Sequence, residues 1–172
     1  MSLRRVRLDD AQELYEATLA MAQDGRGMVI DLDECTLERT RGHIERFEAL
    51  GYRALMLVAE VDGRVVGSAD VRPIDCRRLR HVADFTMGLA PSAQGQGLGR
   101  ALAERCVGWA EATGIRRLQL SMRADNLRAR RLYESLGFVL ESVRPDFIRD
   151  PDGFVDDLVM VRVSASGRSR SP

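Results

Sequence analysis

Gln94-Gly95-Gln96-Gly97-Leu98-Gly99, followed by Arg100, places three glycines within five residues. Before it lies an apolar run, Phe85 to Ala90, and after it a long helical pattern that opens near Gly97. Glycines at this density let backbone N–H groups turn inward with no Cβ in the way, and the first turn of a helix adds unpaired donors and the positive end of its dipole. A loop of this kind holds an anion, and pyrophosphate suits it. The dipole contributes about 0.3–1 kcal/mol, rising to roughly 2 in a partly buried site. Arg100 adds a fixed positive charge beside it. The order is G-x-G-x-G rather than G-x-G-x-x-G, it falls at mid-chain, and no GK[ST] follows, which disfavours both a dinucleotide fingerprint and a nucleotide triphosphate loop. An ordinary glycine-rich turn fits the loop alone equally well, so the rest of the chain must decide.

A second chemical pairing is Asn126 with Tyr133. Seven steps of about 100° return a helix to within about 20° of its starting direction, so both side chains can face one groove. Tyr133 also lies in an apolar stripe with Ala129, Leu132 and Leu136, and a core tyrosine with a satisfied hydroxyl is the alternative.

The elements that must position these residues follow from periodicity. Residues 3 to 8 alternate apolar and basic and form a short strand; Asp9 or Asp10 then caps a helix whose stripe is Leu14, Ala17, Thr18 and Met21. Gln23 to Gly27 ends it, and residues 28 to 34 are a connector or a substrate lid. A second helix turns Leu37, Ile44, Phe47 and Leu50 inward and stops at Gly51. Leu55 to Val61 and Arg64 to Val71 form a hairpin about Asp62-Gly63. Leu79 to Leu89 is the strand entering the glycine loop, and the helix after it carries Leu98, Ala101, Leu102, Cys106, Trp109 and Ala110 on one side before Gly114 closes it. Strands at Arg116 to Met122, Phe138 to Val143 and Phe154 to Val163 complete the pattern, with a short helix capped by Asp125-Asn126 between the first two. Residues 164 to 172 have no apolar anchor and are expected to be disordered, leaving 1 to 163 as one domain.

Composition narrows the function. With 45% hydrophobic and 30% charged residues the chain is globular, and no apolar run nears the roughly 18–20 residues of a membrane span. The N-terminus has no apolar stretch after its arginines, so a secretory signal is not expected and a cytoplasmic location is. All 26 basic residues are arginine, which excludes lysine Schiff-base chemistry, and 26 acidic residues balance them, so the net charge does not point to nucleic acid. Three scattered cysteines and two histidines suggest neither a disulfide framework nor a metal site.

Together these segments resemble the GNAT superfamily of N-acetyltransferases, in particular its small-molecule and amino-acid members. Gln94, Gly97 and Gly99 match its acyl-CoA loop Q-x-x-G-x-G; Asn126 through Phe138 is similar to N-x-x-A-x-x-L-Y-x-x-x-G-F; Asp152-Gly153 through Asp157 and Met160 is like a D-G-x-x-x-D…M ending. The resemblance implies an α/β fold with a mixed, mostly antiparallel, twisted sheet of about seven strands, about four flanking helices and two splayed parallel central strands. It implies acetyl-CoA as co-substrate, held by backbone groups of Met87 and Leu89, by the amides of Gln94, Gly95, Gln96, Gly97, Leu98, Gly99 and Arg100, and by Asn126 and Ala129, with Tyr133 at the thioester sulfur. The acceptor it implies is a small-molecule amine, such as an amino acid; a protein N-terminus and a non-catalytic acyl-CoA-binding module are the alternatives, and a homodimer is compatible. Where some members keep a glutamate, this chain has Ala83 and Ser121, so Asp84 is the candidate general base and His81 the second.

Overall fold

The computed structural model describes residues 1–25 and 27–164. Its strands are β1 (Ser2–Arg5), β2 (Leu55–Val61), β3 (Arg64–Pro73), β4 (Val82–Leu89), β5 (Arg117–Arg123), β6 (Val139–Asp150) and β7 (Gly153–Val163); its helices of more than one turn are α1 (Ala11–Asp24), α2 (Leu37–Leu50), α3 (Leu98–Ala112) and α4 (Leu127–Ser135). The seven strands form one sheet in the order β1-β2-β3-β4-β5-β7-β6, antiparallel throughout except between β4 and β5.

Period-two alternation divides the apolar residues between the two faces. Ala69, Val71, Ala83, Phe85, Leu118 and Leu120 pack with Leu98, Leu102 and Cys106 of α3 and Tyr133 of α4. Met56, Val58 and Val65 face the other way, against Leu14 of α1 and Ile44 and Phe47 of α2. The helices thus cover opposite sides of the sheet.

Several sequence expectations shift by local chemistry. β4 begins at Val82 rather than Leu79, because Arg77–Leu79 curls into a 3-10 turn. Asp10 is the N-cap residue of α1, but its carboxylate makes no capping bond: it turns back to accept from the Arg7 backbone N–H at 2.7 Å and from both terminal nitrogens of Arg4 at 2.7 and 2.8 Å. β6 runs to Asp150, well past Val143, with register shifts between Leu140 and Ser142 and between Arg144 and Ile148. The second shift absorbs Pro145, tolerated because β6 is the sheet edge, and leaves Asp146 at φ 52°. Of the expected tail, Ser164 is described, and its N–H donates to the Arg116 carbonyl at 2.8 Å; the remainder lies outside the described residues.

β4 and β5 pair over only three positions, Val82 with Arg117, Ala83 with Leu118 and Asp84 with Gln119. Beyond them the strands separate. β4 stays bound to β3 as far as Leu89, opposite Gly67. At Gly67, with φ 152°, a Cβ would stand 2.3 Å from the Gly88 carbonyl oxygen, so only glycine allows this approach. Gly67→Ala is therefore expected to lower unfolding stability by about 1–3 kcal/mol, as overpacking does. Denaturant titration checks it; a change below about 0.5 kcal/mol would contradict the contact.

Candidate active site

The separation of β4 from β5 leaves backbone polar groups facing an opening. The Val82 carbonyl accepts from Ile74 and the Val66 carbonyl from Ala90, so the even-numbered residues of β4 turn their polar groups toward β3. The odd-numbered ones turn toward β5. His81 and the first rungs meet that strand, whereas Phe85, Met87 and Leu89 reach the gap. The Leu89 carbonyl accepts from Gln94 Nε2 at 3.0 Å, which closes one end.

That glutamine braces the glycine loop. Its Oε1 accepts from Arg128 Nη1 at 2.8 Å, tying the loop to α4, while Gln96 Nε2 donates to the Ser92 carbonyl at 3.0 Å. Gly95 and Gly97 take φ of 80° and 81°, left-handed values that disfavour any side chain, and Gly97 is the N-cap of α3. A Cβ on either would meet nothing within 4 Å, so the glycines are there for backbone shape and open access. Gly99 is different, packed within 3.6 Å of Leu89 and Leu132 side chains as measured from a built Cβ. The first amides of α3 have no intrahelical partner. Arg100 Nη2 donates to Ser135 Oγ at 2.9 Å, which fixes its charge between α3 and α4.

On α4, Asn126 is the N-cap rather than a helical residue, so the 100° count does not describe it; Oδ1 accepts from the Ala129 N–H at 3.1 Å. Its Nδ2 lies 3.6 Å from where a Cβ on Gly27 would stand, so the segment after α1 comes up against the start of α4. Tyr133 is 6% exposed, edge-on to Phe85 with ring centroids 6.0 Å apart and tilted against Phe138 at 5.8 Å. Burial pushes its phenol up to about 12. No hydrogen bond to its hydroxyl occurs among the described residues, and no fully buried side-chain polar atom lacks a partner, so the hydroxyl reaches accessible space.

The opposite face of the opening is polar. Asp84, at the last paired rung, accepts from Gln119 Nε2 at 3.0 Å and lies 3.6 Å from Arg72 Nη2. Ala83, its neighbour, points into the core. His81 sits before β4 at the closed end and is exposed, so the structure does not bring it to the opening. Ser121 Oγ donates to Asp157 Oδ1 at 2.7 Å, and Arg144 binds both. His43 of α2 stands 3.5 Å from the buried carboxylate of Asp70. Arg123, 5% exposed, grips Asp125 and Asp150 through bidentate pairs and so fixes the loop that carries Asn126. Sequence reasoning missed Arg123, Arg144, Asp70 and His43, none of which has a local signal. Asp157 did have one, as the second aspartate of the D-G-x-x-x-D segment.

Comparison with known proteins agrees with this geometry. Residues 27–138 match the family model described as the acetyltransferase (GNAT) family. The chain is 31% identical over 155 residues to the L-amino acid N-acyltransferase MnaT of Escherichia coli strain K12, covering 84% of this chain and 83% of that protein. It is 41% identical over 76 residues to the ribosomal protein bS18-alanine N-acetyltransferase of the same strain, covering 44% of this chain; the matched part spans about half, 51%, of that relative's length. Among solved structures, an acetyltransferase of the GNAT family from Streptococcus pneumoniae superposes with a TM-score of 0.86 at 27% identity over 95% of this chain and 99% of that one. A phosphinothricin acetyltransferase from Sinorhizobium meliloti, in complex with AcCoA, shares the fold with a TM-score of 0.87 at 21% identity over 99% and 92%. The chain belongs to the GNAT acetyltransferase family.

The raised Tyr133 predicts an alkaline effect. In the unfolded chain a tyrosine ionises near 10, and in the fold this one holds its proton to about 12. The folded state therefore binds more protons between those values, so stability is full below pH 10 and falls as pH rises to 12, by about 2–3 kcal/mol. Tyrosinate absorbance should show one late-titrating residue that disappears in Tyr133→Phe. Persistence of the late component would contradict the burial argument.

Proposed function

We propose that the protein moves an acetyl group from acetyl-CoA to the primary amine of a small molecule, such as an amino acid, by direct attack of the amine. The observation that carries this is the opening between β4 and β5, with unpaired strand amides along it and a glycine-shaped helix N-terminus at its end. In this reading Met87 and Leu89 bind the pantetheine arm through backbone groups, as an added strand would. The amides of Gln94 to Arg100 hold the pyrophosphate. Asn126 offers Nδ2, its Oδ1 being spent on the cap bond from the Ala129 N–H, and the small Ala129 side chain adds little bulk to the first turn of α4. Acetyl-CoA supplies the activated acetyl thioester.

The chain's own residues then handle two proton problems. A thiol leaves with pKa about 8.5, so a phenol held near 12 gives up its proton only at a cost of about 5 kcal/mol. Tyr133 accordingly stabilises developing charge on sulfur by a hydrogen bond rather than by full transfer. An alkyl amine with pKa near 10.4 is neutral at pH 7 in about one molecule in 2,500, which costs roughly 4–5 kcal/mol and calls for a base. Asp84 fills that role through water, half-exposed at the point where the strands part. The long match to an amino acid acyltransferase, covering most of both chains, supports a small acceptor over a protein N-terminus.

Calorimetry with acetyl-CoA, and with CoA, tests the cofactor site, and thiol release across amino acids, polyamines and short peptides tests the transfer. Saturable binding is expected, and Gly97→Trp should weaken it at least about tenfold, since φ 81° is strained for tryptophan and its bulk fills the open side. Asp84→Asn should lower kcat/KM on alkyl amines by about 100-fold or more, with acetyl-CoA affinity kept. Absence of acetyl-CoA binding would overturn the proposal; binding with no release across the acceptors would favour an acyl-CoA-binding module.

A further inference from the structure

The Arg144 guanidinium ends far from its own strand. Arg144 is on β6 and pairs with Asp157 on β7, yet its Nη2 donates to Ser121 Oγ on β5 at 2.7 Å. Ser121 belongs to the half of β5 that no longer pairs with β4, and its side chain alternates with Leu120 and Met122 of the core. The guanidinium therefore crosses β7 and arrives at the margin of the opening, on the face away from α3 and Tyr133.

It is also held still. Nε donates to Asp157 Oδ2 at 2.8 Å, Nη2 donates to the same oxygen, and the Phe147 ring lies 3.9 Å from Cζ. Asp157 itself is 2% exposed and takes its other bond from Ser121. An arginine presents five N–H donors in a rigid fork. Here Nε and Nη2 are engaged, while Nη1 makes no hydrogen bond among the described residues and the side chain is 38% exposed. A planar donor fixed on one edge and free on the other is suited to a small anionic group arriving from the opening. Across the gap stand the carboxylate of Asp84 and, further along the same face, that of Asp70. Charge of both signs therefore borders the acceptor side, which matches a zwitterion.

Resting on the acetyl-transfer reading above, we infer that Arg144 reads a carboxylate on the acceptor through Nη1, so that the acceptor is an amino acid whose ammonium lies toward Asp84. Arg144 is then a specificity-determining residue, and Asp157, Ser121 and Phe147 are positioning residues that keep its fork in place.

The test compares each of a panel of L-amino acids with its carboxamide and with the amine lacking the carboxyl group, by acetyl-CoA-dependent thiol release. The natural protein is expected to favour the amino acid by about 10- to 100-fold in kcat/KM, as a site built around one charged hydrogen bond does. Arg144→Gln should remove most of that preference, mainly through KM, and Arg144→Lys should restore only part, because an ammonium cannot keep both the Asp157 pair and the outward donor. Since Arg144→Gln leaves the buried Asp157 without its partner, the double variant Arg144→Gln with Asp157→Asn is measured beside it. Thermal unfolding and acetyl-CoA affinity are recorded for each variant. Equal rates on amino acid, carboxamide and amine in the natural protein, or a preference that survives both variants, would overturn the assignment. Failure of acetyl-CoA to bind would instead overturn the transfer reading and the Arg144 assignment with it.

Discussion

Three rungs of parallel pairing between β4 and β5, and no more, are the constraint on which the rest of this structure depends. Backbone N–H and C=O groups need partners, and two neighbouring strands normally supply them to each other. Where the pairing stops, Phe85 and Met87 keep polar groups turned to a gap that water or a ligand must satisfy, while the Leu89 carbonyl takes its bond from Gln94. The gap is held open from both sides. β4 is tied to β3 through Leu89, with Gly67 permitting the approach, while β5 is tied to β7 along its whole length, from Arg117 to Arg123.

The two faces of the sheet then receive different chemistry at the same opening. On one, α3 and α4 bring an apolar lining, Tyr133 among aromatic rings and the free amides of a helix start. On the other, where α1 and α2 cover the β2–β3 side, β4, β5, β7 and β6 present Asp84, Gln119, Ser121, Asp157 and Arg144. In the proposed transfer, a donor whose thioester arm needs backbone partners and whose phosphates need free amides suits the first face, and a small charged acceptor the second. The acetyl group would be exchanged between them, through the sheet rather than across its surface.

In a chain whose 26 basic residues are all arginine, bidentate forks recur as structural joints. Arg4 clasps Asp10 at the start of α1, Arg123 joins Asp125 to Asp150, and Arg144 joins Asp157 to Ser121. A planar guanidinium keeps two or three partners in one geometry, which a lysine ammonium on a flexible stem does not. Two of these joints lie beside the opening: Arg123 fixes the loop that carries Asn126, and Arg144 reaches the margin of the gap itself.

Much of this was legible in the residue order. The hairpin about Asp62-Gly63, the cap at Asn126 and the end of the strand that enters the glycine loop all depend on neighbours within a few positions, and local physics was enough to place them. The extent of β6 was not, because Pro145 and the alternating charges from Glu141 to Asp150 hide a bulged edge strand that only pairing with β7 sustains. Nor were the partners of Arg123, Arg144, Ser121 and Asp70. Ser121 meets an aspartate 36 residues later in the chain, and Arg123 one that is 27 residues later. The order β5-β7-β6 brings those side chains together, and no periodicity records the order of strands in a sheet. The sequence by itself determined most of the elements and the glycine loop, since those are local. The tertiary structure decided which charges face the opening, since that depends on long-range pairing.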